Sequence, residues 1–389
     1  MKHALQRRLE HLELPGEHEA RLRAFELVCT AWEQREPEPR PRRRLVPILA
    51  AAVLLAVLAA ALSAPGRAVL RSVREAIGVE QAAPALLSLP SRGRLLVVGG
   101  GGDAWVVHPD GGKRRLGDYT FAGWSPRGLY AAVARGRELT AVEPDGDVRW
   151  SLTRPDGVTW PRWAPSGFRI AYKSGGSLRV VIGNGRGDRL LARDVDDGTP
   201  ALAWAPAVNV NLLAYADRAG RIHLVDVDTR RERWSSPPGG RATELAWSPD
   251  GTRLLALGPR RLRIFGANGL LLRTLPLAAP AAVAFSRRAD HTFALARRLD
   301  LSGSELVLLR AERSTGRPRR LFSGPGIFQD VVWSPNDRWI LLTWPSADQW
   351  LFLRPGRATR QRLAAYSAIT RQFGEPGGVF PTVGGWCCP

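Results

Sequence analysis

From Leu95 onward one short marker keeps returning: an aromatic residue, then Ser or Ala, then Pro. It reads Trp124-Ser-Pro, Trp163-Ala-Pro, Trp204-Ala-Pro, Trp247-Ser-Pro-Asp-Gly and Trp333-Ser-Pro-Asn-Asp, with Phe285-Ser-Arg as a degraded copy. Successive markers lie 39, 41, 43, 38 and 48 residues apart, close to the 40–45 residues that one four-stranded blade needs. A short apolar strand follows each marker: YAAVA (130–134), RIAYK (169–173), LLAYA (212–216), RLLAL (253–257), TFALA (292–296) and WILLT (339–343). A second strand, a tight turn and a third strand complete each unit. The turns form their own series: Pro109-Asp-Gly, Pro144-Asp-Gly, Gly183-Asn-Gly, Asp228-Thr, Ala267-Asn-Gly, Ser314-Thr-Gly and Pro355-Gly. Pro, Asn, Asp and Gly are what hairpin turns require.

Seven turns against six markers imply one split unit. Its missing marker is at the end of the chain, where Val383-Gly-Gly-Trp-Cys-Cys-Pro repeats Phe121-Ala-Gly-Trp-Ser-Pro with one residue inserted. The expected fold is therefore all-β: a seven-bladed β-propeller over 95–389, its ring closed by the C-terminal strand. That strand joins 94–98, 104–108 and 113–116 in a composite blade, leaving no free sheet edge. The repeated aromatics, Trp124, Trp163, Trp204, Trp247, Phe285, Trp333 and Trp386, read as structural residues that fill the wedges between blades.

The markers resemble the WD40-like repeats of TolB-type propellers, whose pattern is close to Trp-Ser-Pro-Asp-Gly, a charged residue and an apolar strand. Trp247-Ser-Pro-Asp-Gly-Thr-Arg-Leu-Leu-Ala-Leu carries the likeness best. The turn regions 143–150 and 226–234 also look like quinoprotein-type blades. The layout as a whole is similar to uncharacterised actinobacterial single-pass propeller proteins.

Residues 45–64 (LVPILAAAVLLAVLAAALSA) form an uncharged run of 20, enough for a helix spanning about 30 Å of hydrocarbon. A cleaved signal would have a shorter apolar core near residue 1, whereas 44 residues, most of them polar, precede this one. The reading is a transmembrane anchor. Arg35, Arg40, Arg42, Arg43 and Arg44 precede it and Arg67, Arg71 and Arg74 follow, which places the N-terminus in the cytoplasm and the propeller outside. Residues 1–44 then form a cytoplasmic stub, with a helix over 18–33 and a Pro/Arg linker. Residues 65–94 form a juxtamembrane helix and linker. The stub is suited to docking a cytoplasmic partner as a helix in a groove, and the layout loosely resembles membrane-bound anti-sigma factors. The zinc-binding His-x-x-x-Cys-x-x-Cys motif of one anti-sigma class is absent.

The formal charge is +20, which raises nucleic acid as a partner. The basic residues are scattered over every strand and turn, however, and no stripe is built, so nucleic-acid binding is not expected. No residue set points to catalysis, a metal or a cofactor. The six His share no zinc-ligand spacing, no Gly-x-Ser-x-Gly elbow occurs, and Gly99–Gly102 lacks the helix and Lys of a phosphate loop. Cys387 and Cys388 read as two buried small hydrophobes at a strand end. The expectation is a non-enzymatic propeller at the cell membrane that binds a protein or envelope ligand and reports inward through the stub. The alternative is a sialidase-, lactonase- or quinoprotein-like enzyme, whose site would draw single residues from several blades. Buried Asp, Glu or Arg converging on the central channel would favour that alternative.

Overall fold

A computed structural model describes residues 88–388, apart from 289, 300–302, 313–317, 357–362 and 375–377. The stub, the apolar run 45–64 and the juxtamembrane segment through residue 87 lie outside the described residues. No helix among the described residues is long and apolar enough to cross a membrane.

The strands form seven four-stranded antiparallel sheets. Blade 2 shows the plan: inner strand Phe121–Trp124, then Ala131–Arg135, Glu138–Val142 and outer strand Val148–Thr153. The inner strands of blades 3 to 7 are Val158–Trp163, Leu202–Trp204, Glu244–Trp247, Pro280–Phe285 and Val331–Trp333. Each marker aromatic therefore ends an inner strand, and the Ser/Ala-Pro turn leads out to the second strand. Where Ser follows Trp, its buried hydroxyl staples the turn. Ser125, Ser248 and Ser334 accept the amides of Tyr130, Arg253 and Trp339 at 2.9–3.0 Å.

Blade 1 is the composite one. Thr382–Cys387 pairs antiparallel with Arg94–Val98, setting Leu95 opposite Trp386 and Leu96 opposite Gly385. Asp103–Val107 and Lys113–Asp118 complete the sheet. Each inner strand neighbours the inner strands of both flanking blades, including blade 1 between blades 7 and 2, so the ring is closed. The Gly99–Gly102 run forms a hairpin turn, with the Gly102 amide donating to the Gly99 carbonyl at 3.0 Å. A side chain at Gly99 or Gly100 would collide with the carbonyls of Phe373 or Val379.

Strand periodicity explains how one sheet serves two cores, because successive side chains face opposite sides. In blade 5, Leu254 and Ala256 pack toward blade 4, while Leu255 and Leu257 pack toward blade 6. Seven apolar clusters result, one between each neighbouring pair of blades. The cluster at the seam gathers Leu95, Val97, Trp350, Phe352, Phe373 and Trp386.

Candidate functional site

The inner strands surround an axial channel. One mouth, at the marker turns, opens into a cavity of about 500 Å³ lined by Trp124, Trp163, Phe285, Trp333 and Trp386 from blades 2, 3, 6, 7 and 1. Trp204 does not line this cavity, and neither does Trp247, which lines a smaller cleft between blades 4 and 5. The indoles reach toward the preceding blade. Trp204 Nε1 donates to the Arg162 carbonyl at 2.9 Å and Trp333 Nε1 to the Ala284 carbonyl at 3.0 Å. The indole N–H groups of Trp124, Trp163 and Trp386 are buried without a partner among the described residues. Replacing Trp333 with Phe should cost about 1 kcal/mol through the lost hydrogen bond, and replacing it with Ala about 3–5 kcal/mol. Urea denaturation of the two variants checks this ordering.

The residue just before each marker also lines the cavity at Gly123, Arg162, Ala284, Val332 and Gly385. Small or apolar side chains hold this position in every blade but one, where Arg162 brings a charge. A bulge sets it there: Thr159 pairs with Lys173 and Arg162 with Ala171, so Trp160 and Pro161 bulge out of register. Trp160 has φ 53°, a conformation rare for a bulky side chain. Its ring meets Phe121 at 4.5 Å and its indole donates to the Asp197 carbonyl at 3.1 Å.

Two carboxyl groups enter the same channel three positions before their markers. Glu244 Oε2 accepts the Val283 amide of blade 6 at 3.1 Å. The Asp330 carboxylate accepts the Val383 amide of blade 1 at 3.0 Å. Water reaches all three groups in part, yet the ring of protein around the channel strips most of their solvation. Burial pushes the Glu244 carboxyl up to about 7, with Asp330 adding to the rise and the Val283 amide and Arg162 opposing it. Burial likewise raises Asp330 to about 6 and lowers Arg162, whose charge Glu244 supports. At the mouth, Arg287 donates to the Trp386 carbonyl at 3.3 Å. A channel with a guanidinium and two carboxyl groups poised near neutrality can grip a polar ligand or move a proton.

The sequence reading missed these three residues. Aligning the seven markers exposes them, because a charge stands where the other copies carry Gly, Ala, Val or an aromatic. It also took Cys387 and Cys388 as separate small hydrophobes, and the structure joins them in a disulfide. Cys387 is buried at the channel mouth beside Ser125 and Pro126. Among the described residues one acidic group, Glu143, Asp145 and Asp147, has its carboxylates close together, in a mostly exposed turn of blade 2.

No family model matches the chain, and no curated protein is significantly similar to it in sequence. Solved structures do resemble it. Hydrazine synthase of Kuenenia stuttgartiensis superposes with a TM-score of 0.51 at 13% identity, over 61% of this chain and 76% of that one. Hsv2 of Kluyvelomyces marxianus does so with a TM-score of 0.50 at 10% identity, over 69% of this chain and 91% of that one. At such identities the likeness establishes the fold alone: the chain is a seven-bladed β-propeller.

Proposed function

We propose that the chain is a membrane-anchored, extracytoplasmic propeller of the TolB-like type that works as a binding module, and that its axial channel seats a small polar ligand. The convergence of Arg162, Glu244 and Asp330 from blades 3, 5 and 7 carries the ligand seat, and it is equally the arrangement expected of the enzyme alternative. Carboxyl groups held near neutrality suit a ligand with a cationic or donor-rich end, which would draw them into their charged forms; Arg162 suits an anionic end. Amino acids and peptide termini combine both. The run 45–64 supports the anchor, and the stub supports signalling to a cytoplasmic partner. Thermal-shift titration of the full chain with panels of amino acids, amines and saccharides tests the seat. Stabilisation that disappears in Glu244→Gln and Arg162→Gln is expected. No shift with any panel, or equal shifts in the variants, would overturn it. Resistance to carbonate extraction tests the anchor, and a two-hybrid screen with residues 1–44 tests the signalling.

The same carboxyl groups favour one second reading, an enzyme using Glu244 as acid and Asp330 as base. Chromatography separates the two readings, since a binding module returns its ligand unchanged.

A further inference from the structure

The two cysteines among the described residues sit where the ring closes. Cys387 and Cys388 are joined by a disulfide although no residue separates them. A disulfide stabilises a fold more, the longer the chain it closes into a loop. A bond between neighbours closes almost none, so it does not staple the seam as the Leu95–Trp386 pairing does.

The surroundings of the pair suit its reduced form as well as its oxidised one. Cys387 is buried and lines the mouth of the axial cavity, while Cys388 beside it is more open. The Cys387 sulfur lies 3.7 Å from the Ser125 carbonyl oxygen and the Cys388 sulfur 3.4 Å from that of Pro126. A disulfide sulfur has no proton to donate, whereas each thiol of a reduced pair has one. An acceptor is therefore in place for each S–H that reduction would create. The Ser125 carbonyl also takes the Gly128 amide at 2.9 Å, and a carbonyl has lone pairs for two donors.

A cation stands beside the sulfurs. A Cβ at Gly128 would lie 3.1 Å from Arg94 Nη2, 3.2 Å from the Cys388 sulfur and 3.3 Å from the Cys387 sulfur. All three groups thus converge on the space that this glycine leaves open. Arg94 Nη2 donates to the Gly128 carbonyl at 2.7 Å, and its Cζ lies 5.3 Å from the centre of the Trp124 ring. A positive charge fixed there favours a thiolate over a thiol and so makes each sulfur a better leaving group.

We propose that Cys387–Cys388 is a thiol–disulfide exchange site at the channel mouth, with low-molecular-weight thiols as its substrates. The thiolate of one substrate attacks the more open Cys388 sulfur. The S–S bond breaks, and its electron pair leaves on Cys387 as a thiolate beside Arg94. A second substrate thiolate attacks the substrate sulfur of the mixed disulfide, forms the substrate disulfide and releases Cys388 as a thiolate. The two protons given up by the substrates end on Cys387 and Cys388. Two substrate thiols are thereby oxidised by two electrons, and the protein disulfide is reduced to two thiols; the reverse sequence restores it.

The test uses the full chain with Cys29→Ser, which removes its third cysteine. The folded protein is equilibrated with reduced and oxidised glutathione at set ratios and quenched with a maleimide. Mass spectrometry should find two maleimides per chain at the reducing end, none at the oxidising end, and reversible passage between them. Given oxidised glutathione, Cys387→Ser cannot close the disulfide and should hold glutathione on Cys388. In the reduced pair, Arg94→Met should raise the pH midpoint of alkylation by about one unit, and Arg94→Lys should restore it. Three results would overturn the proposal: sulfurs that react only after unfolding in urea, sulfurs that stay thiols at every glutathione ratio, or a midpoint unmoved in Arg94→Met.

Discussion

Removing residues 379–389 is expected to open the ring and leave a chain that aggregates. The deletion takes away the inner strand of blade 1, including Trp386, which is only 2% exposed. It also uncovers Leu95 and Leu96, both fully buried, along an unpaired strand edge of the kind that recruits other chains. Trp386→Ala alone should cost about 3–5 kcal/mol. Against a net stability of about 5–15 kcal/mol for a folded domain, losing the whole strand should exceed what the ring can absorb. Size-exclusion chromatography and urea denaturation of both variants check this. A truncated chain that stays monomeric and unfolds at the parent midpoint would show that closure by the C-terminal strand contributes little.

Stability should fall as pH rises from about 5 to 8, and the channel carboxyl groups should cause most of the fall. Glu244 and Asp330 have folded values of about 7 and 6 against ordinary values of 4.5 and 3.8. Groups raised in this way stabilise fully below their unfolded values, and that contribution is lost as pH climbs through the folded ones. His291 acts in the same direction. Burial lowers it, but hydrogen bonds to Asp250 and Glu312 outweigh that and raise it on balance above its ordinary value of 6.5. Its contribution is therefore present below 6.5 and lost as pH rises through the folded value. Asp196, Asp226 and Asp250 are held low, and their contributions are lost only in acid, below the ordinary value of 3.8. The stability maximum is expected near pH 5.

Glu244→Gln with Asp330→Asn keeps acceptors for the Val283 and Val383 amides and removes both charges. The double variant should gain about 2–4 kcal/mol at pH 8, less than the sum of the singles because the two groups interact, and should lose most of the slope. Urea midpoints between pH 5 and 8 give the result. A slope unchanged in the variant would mean that the carboxyl groups are well solvated. Such a gain is the signature of groups kept for binding at the expense of stability.

The ring was legible because the residues that build it repeat. Trp386 could be placed from Val383-Gly-Gly-Trp alone, since its copy Phe121-Ala-Gly-Trp names the partner positions, and the Leu95–Trp386 pairing follows. The unbroken apolar run Leu254–Leu257 likewise fits a strand buried on both faces, and so serving two cores. The channel was harder to read for the opposite reason: Arg162, Glu244 and Asp330 show in the aligned markers only as departures from the repeat, and they meet only once the ring closes. The bulge that aims Arg162 rests on Trp160 in a backbone conformation that residue type does not announce. Residues that function by departing from a repeat are hidden by the same averaging that reveals the fold.

Infrared titration of the protonated carboxyl band in the full chain, set against Glu244→Gln, tests most directly whether the channel holds poised ionisable groups. A carboxyl band that titrates near 7 and vanishes in the variant is the predicted result. All carboxyl groups titrating below about 5, with no difference between the two proteins, would contradict it.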